Sequence, residues 1–523
     1  MSVKSRSRRK RGPQPHAIHK PRGIVHPRVV AVGPDHFAFV CVDCAKARSR
    51  LMLADFYGRV LIEPTTVDHN RSAFDTALAA IRAAMDRHHI KDVIVVVERT
   101  GRYHGPIQRA FRQAKFEVRI IHPYTTKQYR LPADPGNKTD DTDLSAIHRA
   151  AVNGFGLVEP TPESIHGQLK ILARHRRDLV RKGATLRCQI REKLNVFMPG
   201  FETCFADPFS GDVATTLARR LGSPRAVREA GVVGLERILR DAGVGFQKRT
   251  LIRVAAWAED APDPPDEAST EQRTAIELDD DRRGKLRQIA PLESDLAELL
   301  AQTPYILLLS VPGINVVSAA EFAGEMGPIG RYATSRSITR RAGLVPSRYQ
   351  SDQVDRKNGP LIRQANRDLR QAILMIADNL MSCNDYFRGL SKQWREAGKD
   401  PRHSHVKVAG RFCRIAYQMV ASGQVFRHPF CRGRDYILNK LIKFHCEHVT
   451  PVVQAQATLA SAVGQLPQVE HAAEATSLAG ELESAGRRRG RGPCLIGELL
   501  PAVLARLGVN LLGSMSSGEE DPR

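Results

Sequence analysis

The sequence predicts three parts: an α/β N-terminal domain with a mixed sheet and flanking helices, a helical coiled-coil arm, and an all-α C-terminal domain. Three observations predict this. Short apolar runs alternate with helical spacings over residues 36–160. Two long amphipathic helical patterns bracket residues 161–303. Helical spacing alone fills residues 304–428. A basic arm, 1–35, and an extension, 429–523, stand outside these parts.

The 523 residues are enough for about three domains. There are 79 Lys and Arg against 56 Asp and Glu, a formal net charge of +23. Such an excess calls for a polyanionic partner, and nucleic acid is the default. No apolar run reaches the roughly 18 residues of a membrane span. The basic start lacks the apolar core of a secretory signal. Nine cysteines, an odd number, point to a reducing cytoplasmic setting.

The arm carries nine cations from Lys4 to Arg28 and no acid before Asp35. It reads as a disordered segment along phosphates, or equally as a solvated tail. Order is expected near His36. Phe37–Asp43 reads as a buried strand ending in a carboxylate, with hairpin strands at Arg50–Ala54 and Arg59–Ile62. Ala73–His88 has helical spacing. Val93–Glu98 is a second buried strand ending in an acid. A short helix (Ile107–Ala114), a strand (Glu117–Ile121), a loop with Pro132 and Pro135, and a helix (Asp140–Ala151) follow. Ile165–Met198 is a long basic helix stopped by Pro199-Gly200, and Glu271–Gln302 is a second long helix.

Four acids, Asp43, Glu98, Asp140 and Asp143, carry the first functional argument. The first two end neighbouring strands. The last two, three apart, share a helix face. Hard oxygen ligands suit Mg2+ or Mn2+, and such a site can act on a phosphodiester. Acids at a helix start also arise for dipole reasons alone. Carboxylates on the first strand, the fourth strand and the last helix are the layout of an RNase-H-like nuclease fold. Cys41 and Cys44 lack a second pair for zinc and read as inert buried thiols. His445, Glu447, His448 and Cys431 are a weak metal candidate.

In the C-terminal domain, Ser310–Ile314 reads as a helix-hairpin-helix-like turn whose backbone N–H groups, around Gly313, can hold a phosphate. Ser351 lies between cations: Arg348, Lys357, Arg363, Arg367 and Arg370. A hydroxyl so placed suits attack on a phosphodiester. Taken alone, a serine in a polar turn is by a wide margin the commoner reading of such a residue. Arg174, Arg177, Arg181 and Arg187, on the long basic helix, are candidates for nucleic-acid phosphates.

Lys138-Thr-Asp-Asp-Thr-Asp143, Val311-Pro-Gly-Ile314, Ala342-Gly-Leu-Val-Pro346 and Tyr349-Gln-Ser351 together resemble the blocks of the Piv-like DEDD transposases of the insertion-sequence one-hundred-ten type. The resemblance runs from about Phe37 to Phe426, with the blocks in family order. It implies a RuvC-like domain (36–160), a coiled-coil arm (161–303) and a transposase domain (304–428). It implies that Asp43, Glu98, Asp140 and Asp143 are the DEDD acids, with Lys138 beside them, and that Ser351 is a nucleophile. It further implies a bacterial, nucleoid-associated enzyme acting on donor and target double-stranded DNA. A structured bridge RNA would guide it, in a tetramer or dimer of dimers. Asp352, Leu144, Arg363-Gln-Ala365 and Asn315 depart from the pattern, the first where Gly is usual. A metal-dependent nuclease or junction resolvase, or an inactive nucleic-acid-binding relative, are the alternatives.

Overall fold

The computed structural model describes residues 26–133, 135–161, 163–264, 268–351, 354–356, 359–363, 365–426 and 433–467. The chain divides into two compact units. The first takes the chain up to Gly167 together with Glu325–Met381 and Tyr386–Ser422. The second takes Gln168–Gly324, Ser382–Asp385 and the chain from Gly423 onward. The block predicted over 304–428 is therefore shared between the two. The arm residues before His26 lie outside the described residues.

In the first unit, order begins earlier than expected. Helix α1 (Pro27–Val32) precedes the sheet, and Arg28 pairs with Asp92 and Glu117. Arg28 is thus an internal counter-ion rather than a cation of a free arm. The strands β1 (Phe37–Cys44), β2 (Arg48–Asp55) and β3 (Val60–Asp68) form an antiparallel meander. Then come α2 (Arg71–Arg87), β4 (Asp92–Glu98), α3 (Gly105–Gln113), β5 (Glu117–Ile121), α4 (Pro123–Arg130) and α5 (Asp140–Val152). The sheet order is β3-β2-β1-β4-β5, with β1, β4 and β5 parallel. Pro64, which cannot donate to a ladder, sits in the edge strand β3 at an irregular stretch of its pairing.

Alternation sorts the strand side chains between two cores. Val40, Val42, Leu51, Leu53, Val95 and Val97 face one way and pack with Ile81, Ile107 and Phe111 of α2 and α3. Phe39, Cys41, Met52, Ala54, Ile94 and Val96 face the other way and pack with Leu144, Ile147, Ala150 and Ala151 of α5. Cys41 and Cys44 therefore point to opposite faces, both buried. They cannot share an ion, as the strand reading required.

The second unit is helical. Helix α6 (Ile165–Phe197) enters it, and Gly200, in the left-handed region at φ 75°, ends the helix as expected. Helices α7 (Val213–Leu221), α8 (Pro224–Asp241) and α9 (Lys248–Asp260) surround Phe197, Phe201, Leu235 and Leu251. Helix α10 (Ala268–Ala301) runs antiparallel to α6, tied by Lys193–Glu271 at 2.8 Å and Arg176–Glu293 at 2.5 Å. The expected helical hairpin is present, with a small helical bundle at its far end.

Beyond it are a 3-10 run (Pro304–Ser310) and α11 (Val316–Met326). Helix α12 (Ser335–Arg341), strands β6 (Tyr349–Ser351) and β7 (Val354–Arg356), and helices α13 (Arg367–Cys383), α14 (Asp385–Glu396) and α15 (Pro401–Ser422) follow. Helices α16 (Gly433–Glu447) and α17 (Val452–Gln465) complete the described chain. The region predicted as all-α is helical except for one two-stranded ribbon, β6–β7, which carries the serine block.

Candidate nuclease-type active site

The register brings the acids together. Strands β1 and β4 are neighbours through Val42 and Val97, so Asp43 and Glu98 end side by side. Both have the parity of the face covered by α5. Helix α5 lays Leu144, Ile147 and Ala151 on that face, which puts Asp140, one turn ahead of Leu144, at its sheet-side start. Asp143, one turn ahead of Ile147, is buried. A reciprocal cap fixes the helix start: Thr139 Oγ accepts from Thr142 N, and Thr142 Oγ accepts from Thr139 N. The structure places Asp43 and Glu98 at the ends of β1 and β4, half-buried, and Asp140 and Asp143 in the first turn of α5, Asp140 exposed.

The electrostatics show the crowding. Burial, then Asp143 and Asp140, push the Asp43 carboxyl up, while Lys138 pulls it down. Burial is also the main cause of the upward shift of Glu98, with Asp43 and Asp143 adding to it. The nearby Thr126 hydroxyl opposes that shift without reaching hydrogen-bond geometry in the resting chain. Glu98 Oε2 is buried with no hydrogen-bond partner. Asp143 is held by Arg130 Nη1 at 2.5 Å.

A set of hard carboxylate oxygens, one of them orphaned, fits a hard divalent cation. As they stand, no three His, Cys, Asp or Glu side chains among the described residues form a ready ligand group. The resting arrangement has Arg130 as the cation against Asp143. The acids therefore have the donor chemistry for a metal and would have to close around it.

A cleft of about 490 Å3 opens beside the acids, lined by Asp43, Arg48, Arg50, Thr66, Thr139, Asp140 and their neighbours Ala45 and Asp141. Thr126, Arg130, Arg48 and Arg50 were not picked out from the sequence. The two arginines of β2 carried a signal: they precede the apolar run Leu51–Ala54 in alternation, which gives them the face of Met52 and Ala54.

The serine block lies elsewhere on the first unit's chain. Ser351 ends β6, exposed, opposite Val354. Among the described residues no hydrogen bond or ion pair joins it to the four acids. Arg348 makes a two-pronged pair with Asp355 on the facing strand, at 2.9 and 2.8 Å. Arg370 is not the free phosphate ligand expected: its Nε donates to Ala342 O at 2.7 Å and its Nη2 to Ile362 O, on either side of the ribbon. Arg363 and Arg367 are exposed. Lys357 and Asp352 lie outside the described residues.

On α6, Arg177 is also a correction. It is 6% exposed and donates to Glu321 Oε2 at 3.1 Å, so it serves the interior rather than a nucleic acid. Arg174 is half-buried and Arg181 exposed. Arg187 lies over the Phe209 ring at 5.8 Å. Gly313 takes φ 95° in a turn between the 3-10 run and α11, as a helix-hairpin-helix-like element needs. His448 Nε2 meets Glu293 Oε2 at 2.5 Å, and burial pushes His445 down to about 4. Cys431 lies outside the described residues. His448 is tied to Glu293 and His445 is a buried core histidine.

A β3-β2-β1-β4-β5 sheet with acids on β1, β4 and α5 defines an RNase-H-like DEDD domain. The comparisons agree. Residues 40–199 match a family model described as transposase, and residues 305–392 match the model of the transposase IS116/IS110/IS902 family. A Streptomyces coelicolor protein of insertion element IS110 is 24% identical over 305 residues, 57% of this chain and 75% of the relative. The transposase for insertion sequence element IS1328 of Yersinia enterocolitica is 28% identical over 143 residues, 27% of this chain and 42% of the relative. A Streptomyces clavuligerus protein of insertion element IS116 is 26% identical over 360 residues, 66% of this chain and 84% of the relative. Both matched regions and all three relatives are of the IS110 type, so over those regions the chain is similar to the IS110 family of transposases, a similarity that supports a DNA transposase. Among the described residues no helix is long and apolar enough to cross a membrane.

Proposed function

We propose that this transposase cuts and rejoins DNA strands by attack of the Ser351 hydroxyl on a phosphodiester, with Asp43, Glu98, Asp140 and Asp143 holding Mg2+ or Mn2+. The convergence of four acids from three elements on one sheet face is the observation that carries the reading. The metal, when bound, would supply charge neutralisation at the scissile phosphate. The acids hold and orient it, and Lys138 tempers their mutual repulsion. Ser351 Oγ forms the bond to phosphorus as the DNA oxygen leaves. The resulting phosphoseryl link conserves the bond energy, so strands rejoin without ATP. The exposure of Ser351 on a ribbon suits a nucleophile presented to a separate metal site. The family resemblance supports an oligomer, a tetramer or dimer of dimers, in which one subunit's serine serves another's acids.

A structured guide RNA pairing with donor and target DNA would set the sequence, as base pairing needs no side-chain code. The net charge of +23 supports a partner of that kind. Action in the bacterial cytoplasm, at the nucleoid, follows from such substrates.

Trapping DNA on the protein tests this. Wild type is expected to give a covalent adduct with Mg2+ that Ser351→Ala lacks, and Asp140→Asn is expected to abolish strand exchange. An adduct formed by Ser351→Ala removes the serine from its role.

A further inference from the structure

Four strands place one residue each in a lateral row on the α5 face. Glu98 of β4 ends beside Asp43 of β1. Asp43 pairs directly with Arg50 of β2, and Arg50 with Thr66 of β3. Paired residues point to the same side, so the row runs from acids to a guanidinium to a hydroxyl. At about 4.8 Å per strand it covers roughly 14 Å. Arg48, two residues from Arg50, shares its face. The cleft of about 490 Å3 lies over this row, with Thr139 at the amino end of α5 on its other wall.

We propose that this cleft is a groove for the DNA strand being cut, in which Arg48 and Arg50 bind backbone phosphates flanking the scissile one. The proposal rests on the acids being the phosphoryl-transfer site. Neither arginine is ion-paired with one of the four acids among the described residues: Asp143 pairs with Arg130, and Arg50 with Asp141. Arg48 is exposed and has no side-chain partner among the described residues. Arg50 donates to Thr66 Oγ1 at 3.1 Å and to Asp141 Oδ1 at 2.8 Å. Asp141 is 57% exposed, so that pair is a weak, solvated one. A phosphate can replace it with a two-pronged, charge-assisted contact. Thr66 and Thr139 add hydroxyl donors along the groove. The substrate is DNA rather than RNA because the strand lying against the acids is the strand that reacts.

The test is equilibrium binding of the full chain to a labelled 30-base-pair duplex, about 30 being chosen to exceed one helical turn, in EDTA across a salt series. Relative to wild type, Arg48→Gln/Arg50→Gln is expected to weaken binding about tenfold at 0.15 M salt. The slope of log K against log salt should become shallower by about 2, the loss of two phosphate contacts. Arg48→Lys/Arg50→Lys keeps the slope, and Asp141→Asn, which frees Arg50, tightens binding. The remaining basic surfaces are the same in every variant, so the differences belong to the groove. If the double Gln variant fails to fold, Arg48→Gln alone carries the test with about half the slope change. Unchanged affinity and slope would overturn the proposal, as would a loss confined to structured RNA. Binding in EDTA needs neither metal nor Ser351. Strand exchange by Asp140→Asn would sink the acid site instead, a separate result.

Discussion

Asp43 is a residue under electrostatic load. Burial and two neighbouring carboxylates raise its pKa. A raised carboxyl pKa contributes stability below the unfolded value, near 3.8, and that stability is lost as pH rises through the folded value. At neutral pH the metal-free chain therefore carries uncompensated repulsion. Asp43→Asn is expected to raise its melting temperature by roughly 2 °C in EDTA. Mg2+ should stabilise wild type and do so less in the variant. Thermal scans with and without Mg2+ check both, and a destabilised variant with no response to Mg2+ in wild type would contradict the crowded-acid picture. The four acids were legible in the sequence because strand ends and a three-residue helix spacing are local patterns. Arg130 and Thr126 were not, because α4 arises where the sequence suggested a loop through Pro132 and Pro135. Arg177 misled for the opposite reason. A cation in a basic stripe looks solvated until Glu321 arrives from 144 residues away.

At the scale of elements, the serine ribbon shows how a short structure is held. Strands β6 and β7 have three residues each, too few for alternation to announce them. The ribbon closes where Ser347 N donates to Pro360 O at 2.9 Å and Gly359 N donates to Ser347 O at 3.0 Å. A Cβ on Gly359 would stand 2.7 Å from that same oxygen, so the close approach requires glycine. Arg370 of α13 then ties the carbonyls of Ala342 and Ile362, which flank the ribbon. Arg370→Gln is expected to loosen the ribbon and slow covalent adduct formation by about tenfold or more, the scale of a misplaced reactive group. Stabilisation by Mg2+ in a thermal scan should stay as in wild type, since the acids are untouched. A variant with normal adduct rates would show that the ribbon does not depend on this tie. A free phosphate ligand at Arg370 would instead change DNA affinity with little change in rate.

At the scale of the whole molecule, the chain past the matched family regions is part of the fold. The transposase model ends at residue 392, yet α16 and α17 pack on the 3-10 run Pro304–Ser310, and α17 also packs on α10. Lys440 of α16 makes the decisive contact, donating to the carbonyls of Leu309 at 2.8 Å, Val311 at 3.0 Å and Ile314 at 2.8 Å. These carbonyls bracket the Pro312-Gly313 turn and have no helix to serve them. Burial pushes the ammonium down to about 7, while three accepting oxygens favour its charged form. Lys440→Met keeps the apolar stem and removes the donor. It would remove a donor from all three carbonyls and leave those of Leu309 and Ile314 the most exposed to loss, since Val311 O also accepts from Ile314 N at 3.2 Å, at about 1–3 kcal/mol for each left unpaired. The expected outcome is faster amide exchange across residues 309–318 and a lower melting transition for the second unit, with the first unit's transition unchanged. Deletion of residues 427–523 should do the same more severely, because the buried 3-10 run Pro304–Ser310 loses the cover of α16 and α17. If the truncated chain keeps wild-type exchange rates over 309–318, the extension is dispensable to the turn. The apolar spacing of Ile437, Leu438, Leu441 and Ile442 could have announced α16, but the role of Lys440 could not be read, because on sequence alone a lysine belongs on a surface.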